Sequence, residues 1–127
     1  MEKLDGFTKA YIQAALWSST DDNGVPLDSD YSVLDLAPET LKRMTLDCHN
    51  FQTDMGEIIA AAECSRSDGD YTQFERAGHD FWLTRNGHGA GFWDGDWSEP
   101  EATILTEAAH KFGEFDLYVG DDGMIYA

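Results

Sequence analysis

Apolar residues recur three or four positions apart over two long stretches of the N-terminal half. The first stretch predicts an amphipathic helix over residues 4–17. Pro38 suits the first turn of a second helix, whose apolar positions continue over six turns. Those positions are Leu41, Met44, Cys48, Phe51, Met55, Ile58 and Ala62. Residues 18–37 have turn chemistry without a helical period, so a loop is expected between the two helices.

A short helical piece is expected over residues 70–76, ending at Gly78. After Gly78 the pattern of apolar residues changes. Aromatic and apolar residues then lie on both sides of Asn86-Gly87. Asn-Gly supplies the two positive-φ positions of a type I′ turn, which predicts a β-hairpin over residues 80–93. In that register Phe81 faces Phe92 across the hairpin.

The C-terminal third predicts a helix and a second hairpin. Ser98 and Glu101 have the spacing of a capping box, with Pro100 in the first turn. The helix that follows has Ile104, Leu105, Ala108 and Phe112 on its apolar face. A second hairpin is expected to pair residues 115–119 with residues 124–126 around an acidic, glycine-rich turn.

These elements predict a single α+β domain over residues 1–127. N-terminal helices accompany two β-hairpins that form an antiparallel sheet, with a helix between the hairpins. Hydrophobic residues make up 42% of the chain and aromatics 13%, enough for one ordinary core.

The charge balance narrows the classes of partner. Lys and Arg number 8 and Asp and Glu number 25, so the formal net charge is −17. Direct binding to nucleic acid is disfavoured, because a phosphate backbone requires cationic neutralisation. An anionic membrane surface is disfavoured for the same reason. A basic partner is therefore expected.

Compartment and cysteine chemistry are predicted from local sequence. No apolar stretch approaches the roughly 20 residues that a bilayer requires, and the charged N-terminus has no signal-peptide core. A cytoplasmic location is expected.

Cys48 and Cys64 would lie about 24 Å apart along one helix, too far for a disulfide, so both are expected to be reduced and structural.

Ten acidic residues are candidates for a partner-binding surface. Carboxylates two positions apart on a strand lie about 6.8 Å apart, and helical neighbours about 5–6 Å apart, so either can imitate phosphates. Three tryptophans, Trp82, Trp93 and Trp97, could add an aromatic contact surface, since aromatics are common interface hot spots. The acidic candidates are Asp21, Asp22, Asp28, Asp30, Asp94, Asp96, Glu99, Glu101, Asp121 and Asp122. A solvated acidic surface with an unrelated function and a high-salt source are the alternatives.

Motifs for metals, cofactors and catalysis are missing. The Asp-rich loops lack the glycine and glutamate spacing of an EF-hand, and the Cys and His residues lack zinc-module spacing. No cofactor or metal is expected. His79 would face Asp94 in the first hairpin, and with Asp80 and His88 could form a metal or acid–base cluster. Because no nucleophile motif or phosphate loop accompanies it, a non-enzyme is expected.

Two segments carry a resemblance to a group of proteins. They are Gly78-His-Asp-Phe-Trp-Leu-Thr-Arg-Asn-Gly-His-Gly-Ala-Gly-Phe-Trp-Asp94 and Asp116-Leu-Tyr-Val-Gly-Asp-Asp-Gly123. The chain resembles small acidic proteins of tailed phages and prophages that have no assigned function. The resemblance implies a phage setting, and it transfers no catalytic residue.

The function predicted from sequence is that of a phage-encoded acidic inhibitor. It would mimic nucleic acid and block the DNA- or RNA-binding groove of a host defence, repair or nucleoid protein in the host cytoplasm. The alternatives are a small metal- or acid–base-dependent enzyme centred on residues 79–94, and a structural or regulatory phage protein that is acidic only for solubility.

Overall fold

The computed structural model describes residues 4–21, 23–63, 72–87, 91–93 and 97–127. Four α-helices and one pair of short strands are found in these ranges, with two 3-10 turns at Leu27–Ser29 and Val33–Asp35. The helices are α1 (Gly6–Ser18), α2 (Pro38–Ala61), α3 (Gln73–Arg85) and α4 (Glu101–His110), and the strands are β1 (Tyr118–Val119) and β2 (Ile125–Tyr126).

Both N-terminal helices are confirmed. The Asp5 side chain caps α1 by accepting a 2.8 Å hydrogen bond from the Thr8 N–H, which satisfies one of the free donors of the first turn. Along α2 the predicted apolar face packs into the core, with Met44, Cys48 and Phe51 fully buried. The outer members of the series, Leu41, Met55 and Ile58, are partly buried against the same core. Cys64 lies outside the described residues.

The first predicted hairpin is wrong, because residues 80–85 belong to helix α3. Thr72 and Glu75 form a capping box that opens this helix, and the helix continues through Gly78. Asn86 and Gly87 end it: Gly87 has φ of +70°, whereas Asn86 has φ of −98°. A type I′ turn needs two positive φ values, while a single left-handed glycine after the last turn is a common helix stop. Asn86-Gly87 therefore ends helix α3 and does not form a hairpin turn.

Residues 91–93 return to α3 through side-chain bonding instead of strand pairing. The Phe92 N–H donates a 3.1 Å hydrogen bond to the buried Thr84 hydroxyl. A Cβ on Gly91 would lie 2.2 Å from that hydroxyl oxygen, so only glycine fits. Phe81 and Phe92 are not cross-strand partners. Each stacks on Phe51, with ring centroids 4.1 and 5.9 Å away respectively.

The second hairpin is confirmed as a two-stranded antiparallel sheet. Tyr118 pairs with Tyr126 and Val119 with Ile125. The Ala37 N–H donates a 2.9 Å bond to the Ile125 carbonyl, which fixes the hairpin at the N-terminus of α2. The described fold is thus mostly helical with one small sheet, and one hydrophobic core includes residues of all four helices.

Helix α4 begins later than the sequence suggests. It starts at Glu101 and has no side-chain cap, although the Ser98 carbonyl accepts a 2.9 Å bond from the Ala102 N–H. The Ser98 hydroxyl instead donates a 2.8 Å bond to the Glu101 carboxylate and accepts one from the Glu63 N–H. The Thr103 N–H donates to the Glu99 carboxylate at 3.0 Å, so Glu99 satisfies a first-turn donor.

Helix α3 is the centre of the fold. It packs along α1, and Gly78 allows the close approach, since a Cβ there would lie 2.1 Å from the Phe7 carbonyl oxygen.

Arg85, in the last turn of α3, is 4% exposed. The predicted hairpin over residues 80–93 would put Arg85 at its tip, next to Asn86-Gly87; in α3 the guanidinium instead points inward. It donates to the Tyr11 hydroxyl and to Asp47, each at 2.9 Å.

Candidate functional site

The acidic candidates are spread over several loops and one helix start. Asp28, Asp30, Glu99, Asp121 and Asp122 are exposed, and Asp21 and Glu101 are partly buried. Asp22, Asp94 and Asp96 lie outside the described residues. The described members therefore do not form one cluster along the chain, and each must be judged by its neighbours.

Some of these carboxylates have a structural duty. Asp21 accepts hydrogen bonds from the Asn23 and Val25 N–H groups at 2.8 and 3.0 Å, and so stabilises its own turn. Asp122 accepts a 2.6 Å bond from the Tyr126 hydroxyl and a 3.0 Å bond from the Met124 N–H. The Tyr126 bond lowers the pKa of Asp122, and the same bond raises the pKa of Tyr126 to about 12.

Cations do little to neutralise the described surface. Between described residues, the only ion pair that involves Lys or Arg is Arg85 with Asp47, at 2.9 Å. Arg43 lies over the Phe115 ring, 4.8 Å from its centroid. Exposed carboxylates such as Asp28, Asp30 and Glu107 therefore face solvent without a described Lys or Arg partner. A surface of this kind repels anionic molecules and attracts cationic molecules over a distance of about one Debye length.

Only one of the three predicted contact tryptophans is exposed. Trp93 is 54% exposed, whereas Trp82 and Trp97 are 2% and 4% exposed. The assignment of Trp82 and Trp97 to a binding surface is therefore wrong. Their ring N–H groups are satisfied internally, since Trp82 donates to the Ser18 hydroxyl and Trp97 to Asp80, both at 2.7 Å. A buried tryptophan needs such a partner.

Trp93 lies against helix α4 beside two carboxylates. A shallow depression of about 230 Å³ is lined by Trp93, Glu99, Thr103 and Glu107, among others. Glu99 was predicted from its acidic neighbours, and Glu107 was not. Glu107 lies less than two helical turns after Glu101. The sequence signal that could have identified it is its place outside the predicted apolar face of that helix. Glu101 points elsewhere, because Ser98 binds its carboxylate. Trp93, Glu99 and Glu107 are the candidate site, an exposed aromatic ring and two carboxylates that line one depression.

A histidine–aspartate pair is the second notable cluster. His79 Nδ1 lies 3.0 Å from Asp80 Oδ1, and the other Asp80 oxygen accepts from Trp97. Asp80 is buried, and His79 is partly exposed beside the exposed ring of Trp17, 6.2 Å away between centroids. The predicted partner of His79 was Asp94, which lies outside the described residues along with His88. The described part of the chain places no three His, Cys, Asp or Glu side chains to hold a metal ion.

Comparisons with known proteins add no assignment: no family model, curated protein or solved structure matches the chain. The resemblance to phage proteins stays a prediction. None of the helices in the described ranges has the length and apolarity needed to cross a bilayer.

Proposed function

We propose that this chain is an acidic inhibitor that occupies the nucleic-acid-binding groove of a basic protein. The observation that carries the proposal is Trp93, an exposed aromatic ring flanked by Glu99 and Glu107. The carboxylates would contact the Lys and Arg residues that normally bind phosphates. The phage setting, and with it a host defence, repair or nucleoid protein as the target, rests on the sequence resemblance alone.

In this proposal, charge speeds association with the partner and packing slows dissociation. A net charge of −17 steers the chain toward a cationic groove and speeds encounter at low salt. Charge alone gives little residence time, because exposed ion pairs contribute about 0–1 kcal/mol each. A desolvated tryptophan can supply the anchor that slows dissociation. Trp93 and its two carboxylates combine both properties within one short stretch of surface.

The test is competition for an identified partner. Immobilised protein captures partners from a bacterial lysate, a salt gradient elutes them, and each purified partner is then titrated with labelled duplex DNA. We expect the chain and DNA to exclude each other. Affinity for the chain should fall as salt rises, because the Debye length shortens from about 10 Å at 0.1 M to about 3 Å at 1 M.

Matched variants separate the site from the general charge. Glu99→Lys with Glu107→Lys should slow association, and Trp93→Ala should speed dissociation at least about tenfold, as expected of a hot spot. The controls make the same changes elsewhere: Asp28→Lys with Asp30→Lys, and Trp17→Ala. A partner that binds DNA and the chain simultaneously would contradict the proposal. Equal effects of the site and control variants would assign binding to the charge alone.

The His79–Asp80 pair favours one other function, acid–base catalysis by a small enzyme. A buried carboxylate that orients a partly exposed imidazole is the usual arrangement of a general base. This candidate predicts hydrolytic activity on a small ester or phosphate panel, with a bell-shaped pH profile, that His79→Gln removes. Activity unchanged in His79→Gln, or absent from the native chain, leaves the pair with a structural role.

A further inference from the structure

An open groove follows the N-terminal half of α2 and has a chemistry unlike the rest of the surface. It has a volume of about 520 Å³, and Leu4, Leu41, Thr45 and Leu46 supply its apolar wall. Leu46 is 54% exposed, an unusual position for a leucine on a helix whose other face is in the core. The groove thus exposes apolar surface that no residue in the described ranges covers.

The described lining of this groove carries positive charge, on Lys42. Lys42 and His49 line it, and among the described residues no carboxylate does. A second groove of about 360 Å³ shares Leu4 and is lined by Lys9, Ile12, Leu16 and Val33, again without a carboxylate. In a chain with 25 acidic and 8 basic residues, two grooves lined by Lys42 and Lys9 and by no described carboxylate are unusual.

Asp5, the acidic residue next to Leu4 in the chain, is already hydrogen-bonded. Asp5 accepts bonds from the Thr8 N–H at 2.8 Å and from the Gln52 amide at 3.1 Å. Burial opposes its charged form, but these hydrogen bonds outweigh that effect and lower the pKa of Asp5. Glu39 lies about one helical turn before Lys42 on α2, and its charge helps to raise the pKa of Tyr126. Neither Lys42 nor Lys9 forms an ion pair with a described carboxylate.

We propose that these joined grooves bind an amphipathic α-helix of a partner protein, one with acidic residues beside its apolar face. The lining from Pro38 to His49 extends for about 17 Å, which equals three helical turns. Helices dock in such grooves through apolar side chains at positions i, i+3 or i+4 and i+7. Lys42 and Lys9 would pair with carboxylates at the edges of that helix. The open shape and the exposed Leu46 suit a helix better than a small ligand, which needs an enclosing cavity.

The proposal is tested with a synthetic probe. The probe is a fluorescein-labelled amphipathic peptide with leucines at i, i+3, i+4 and i+7 and glutamates beside them. Its control has lysines in place of the glutamates. Fluorescence anisotropy should show saturable binding of the acidic peptide to the full chain. Leu46→Ser should weaken it about tenfold, the loss expected for one buried leucine. Lys42→Glu should also weaken it.

Matched variants guard against general effects. Ile104→Ser removes an exposed aliphatic residue from α4, and Lys111→Glu reverses a charge outside the grooves; both should leave binding within about twofold. Circular dichroism checks that each variant is folded. The proposal is overturned if the acidic peptide does not bind, or if Lys42→Glu and Lys111→Glu weaken it equally.

Two other outcomes would assign the grooves to a different occupant and so overturn the proposal. A dimer in sedimentation that Leu46→Ser abolishes would place a second copy of this chain there. Saturable binding of laurate without binding of the acidic peptide would assign the grooves to an acyl chain. Neither outcome bears on Trp93 and its carboxylates, so this inference and the proposed inhibitor function can fail separately.

Discussion

The guanidinium of Arg85 lies in the interior, where an unpaired charge would be costly. Its nitrogens donate to Asp47, to the Tyr11 hydroxyl and to the carbonyls of Phe112 and Gly113, at 2.8 to 3.0 Å. The charge also lies over the Phe115 ring, 5.2 Å from its centroid. This single side chain therefore joins α1, α2, α3 and the segment after α4.

Replacing Arg85 should be among the most destabilising changes in the chain. Arg85→Met would leave the Tyr11 hydroxyl and two carbonyls without their donor, and we expect a loss of about 3 kcal/mol in the free energy of unfolding. Arg85→Lys should recover only part of the lost stability, because a lysine ammonium cannot reproduce the several hydrogen bonds of the planar guanidinium. Urea unfolding followed by circular dichroism measures both. Native-like stability of Arg85→Met would show that the network contributes nothing.

The Asp122–Tyr126 bond makes a pH-dependent prediction at a single residue. The carboxylate raises the pKa of Tyr126 from 10 to about 12. The stability that this bond supplies is therefore complete between the ordinary pKa of 3.8 for Asp122 and pH 10. It is lost as the pH rises through 12, and also as the pH falls through the lowered pKa of Asp122. In Asp122→Asn the ionisation midpoint of Tyr126, read from its Cζ resonance by NMR, should fall toward 10. Asp121→Asn is the control and should not move it.

Helices and strands were predictable where one strong local pattern decided them. The three-four spacing identified α1 and α2, and the acidic glycine turn identified the β1–β2 hairpin. Helix α3 was missed because Asn86-Gly87 fits both a hairpin turn and a helix end. Only the packing of Phe81 on Phe51 and of Gly78 on Phe7 selects the helix, and those partners are distant in sequence. The capping box of Thr72 and Glu75 was the local signal that favoured it.

The same ambiguity limited the candidate site. Once α3 is a helix, Trp82 points into the core, so a surface inferred from a hairpin face could not be correct. Trp93 and Glu99 stay predicted contact residues, because both lie in the α3–α4 connection and both are exposed. The grooves along α2 were not found, since spacing alone does not reveal which apolar residues a third element leaves uncovered.

Two glycines in helices give a matched test of packing. Gly78→Ala should destabilise the fold by about 1–3 kcal/mol, because the new methyl group would collide with the Phe7 carbonyl. Gly56→Ala should stabilise it by up to about 1 kcal/mol, since nothing lies within 4 Å and alanine favours a helix. Thermal unfolding of both variants compares them. Stabilisation by both would show that α1 and α3 do not approach this closely.

At the scale of the whole molecule, the dominant quantity is uncompensated charge. A net charge of −17 opposes compaction, because the folded state brings the carboxylates closer together than the unfolded state does. Adding NaCl from 10 mM to 0.5 M should therefore raise the melting temperature. The gain should be smaller in Asp28→Asn with Asp30→Asn and Asp121→Asn, which carries less charge. A melting temperature independent of salt would contradict this account.

The pairing of α1 with α3 has a consequence during synthesis. Tyr11 and Arg85 are 74 residues apart, so the first helix leaves the ribosome long before its main partner exists. At elongation rates of about 5–20 residues per second, that delay is about 4–15 s. Tyr11 lacks its ring partners Phe81 and Trp82 throughout that delay, so we expect the nascent chain to expose apolar surface to holding chaperones. Cooperative folding must wait for the last turn of α3, so a nascent chain stalled before Arg85 should remain sensitive to protease.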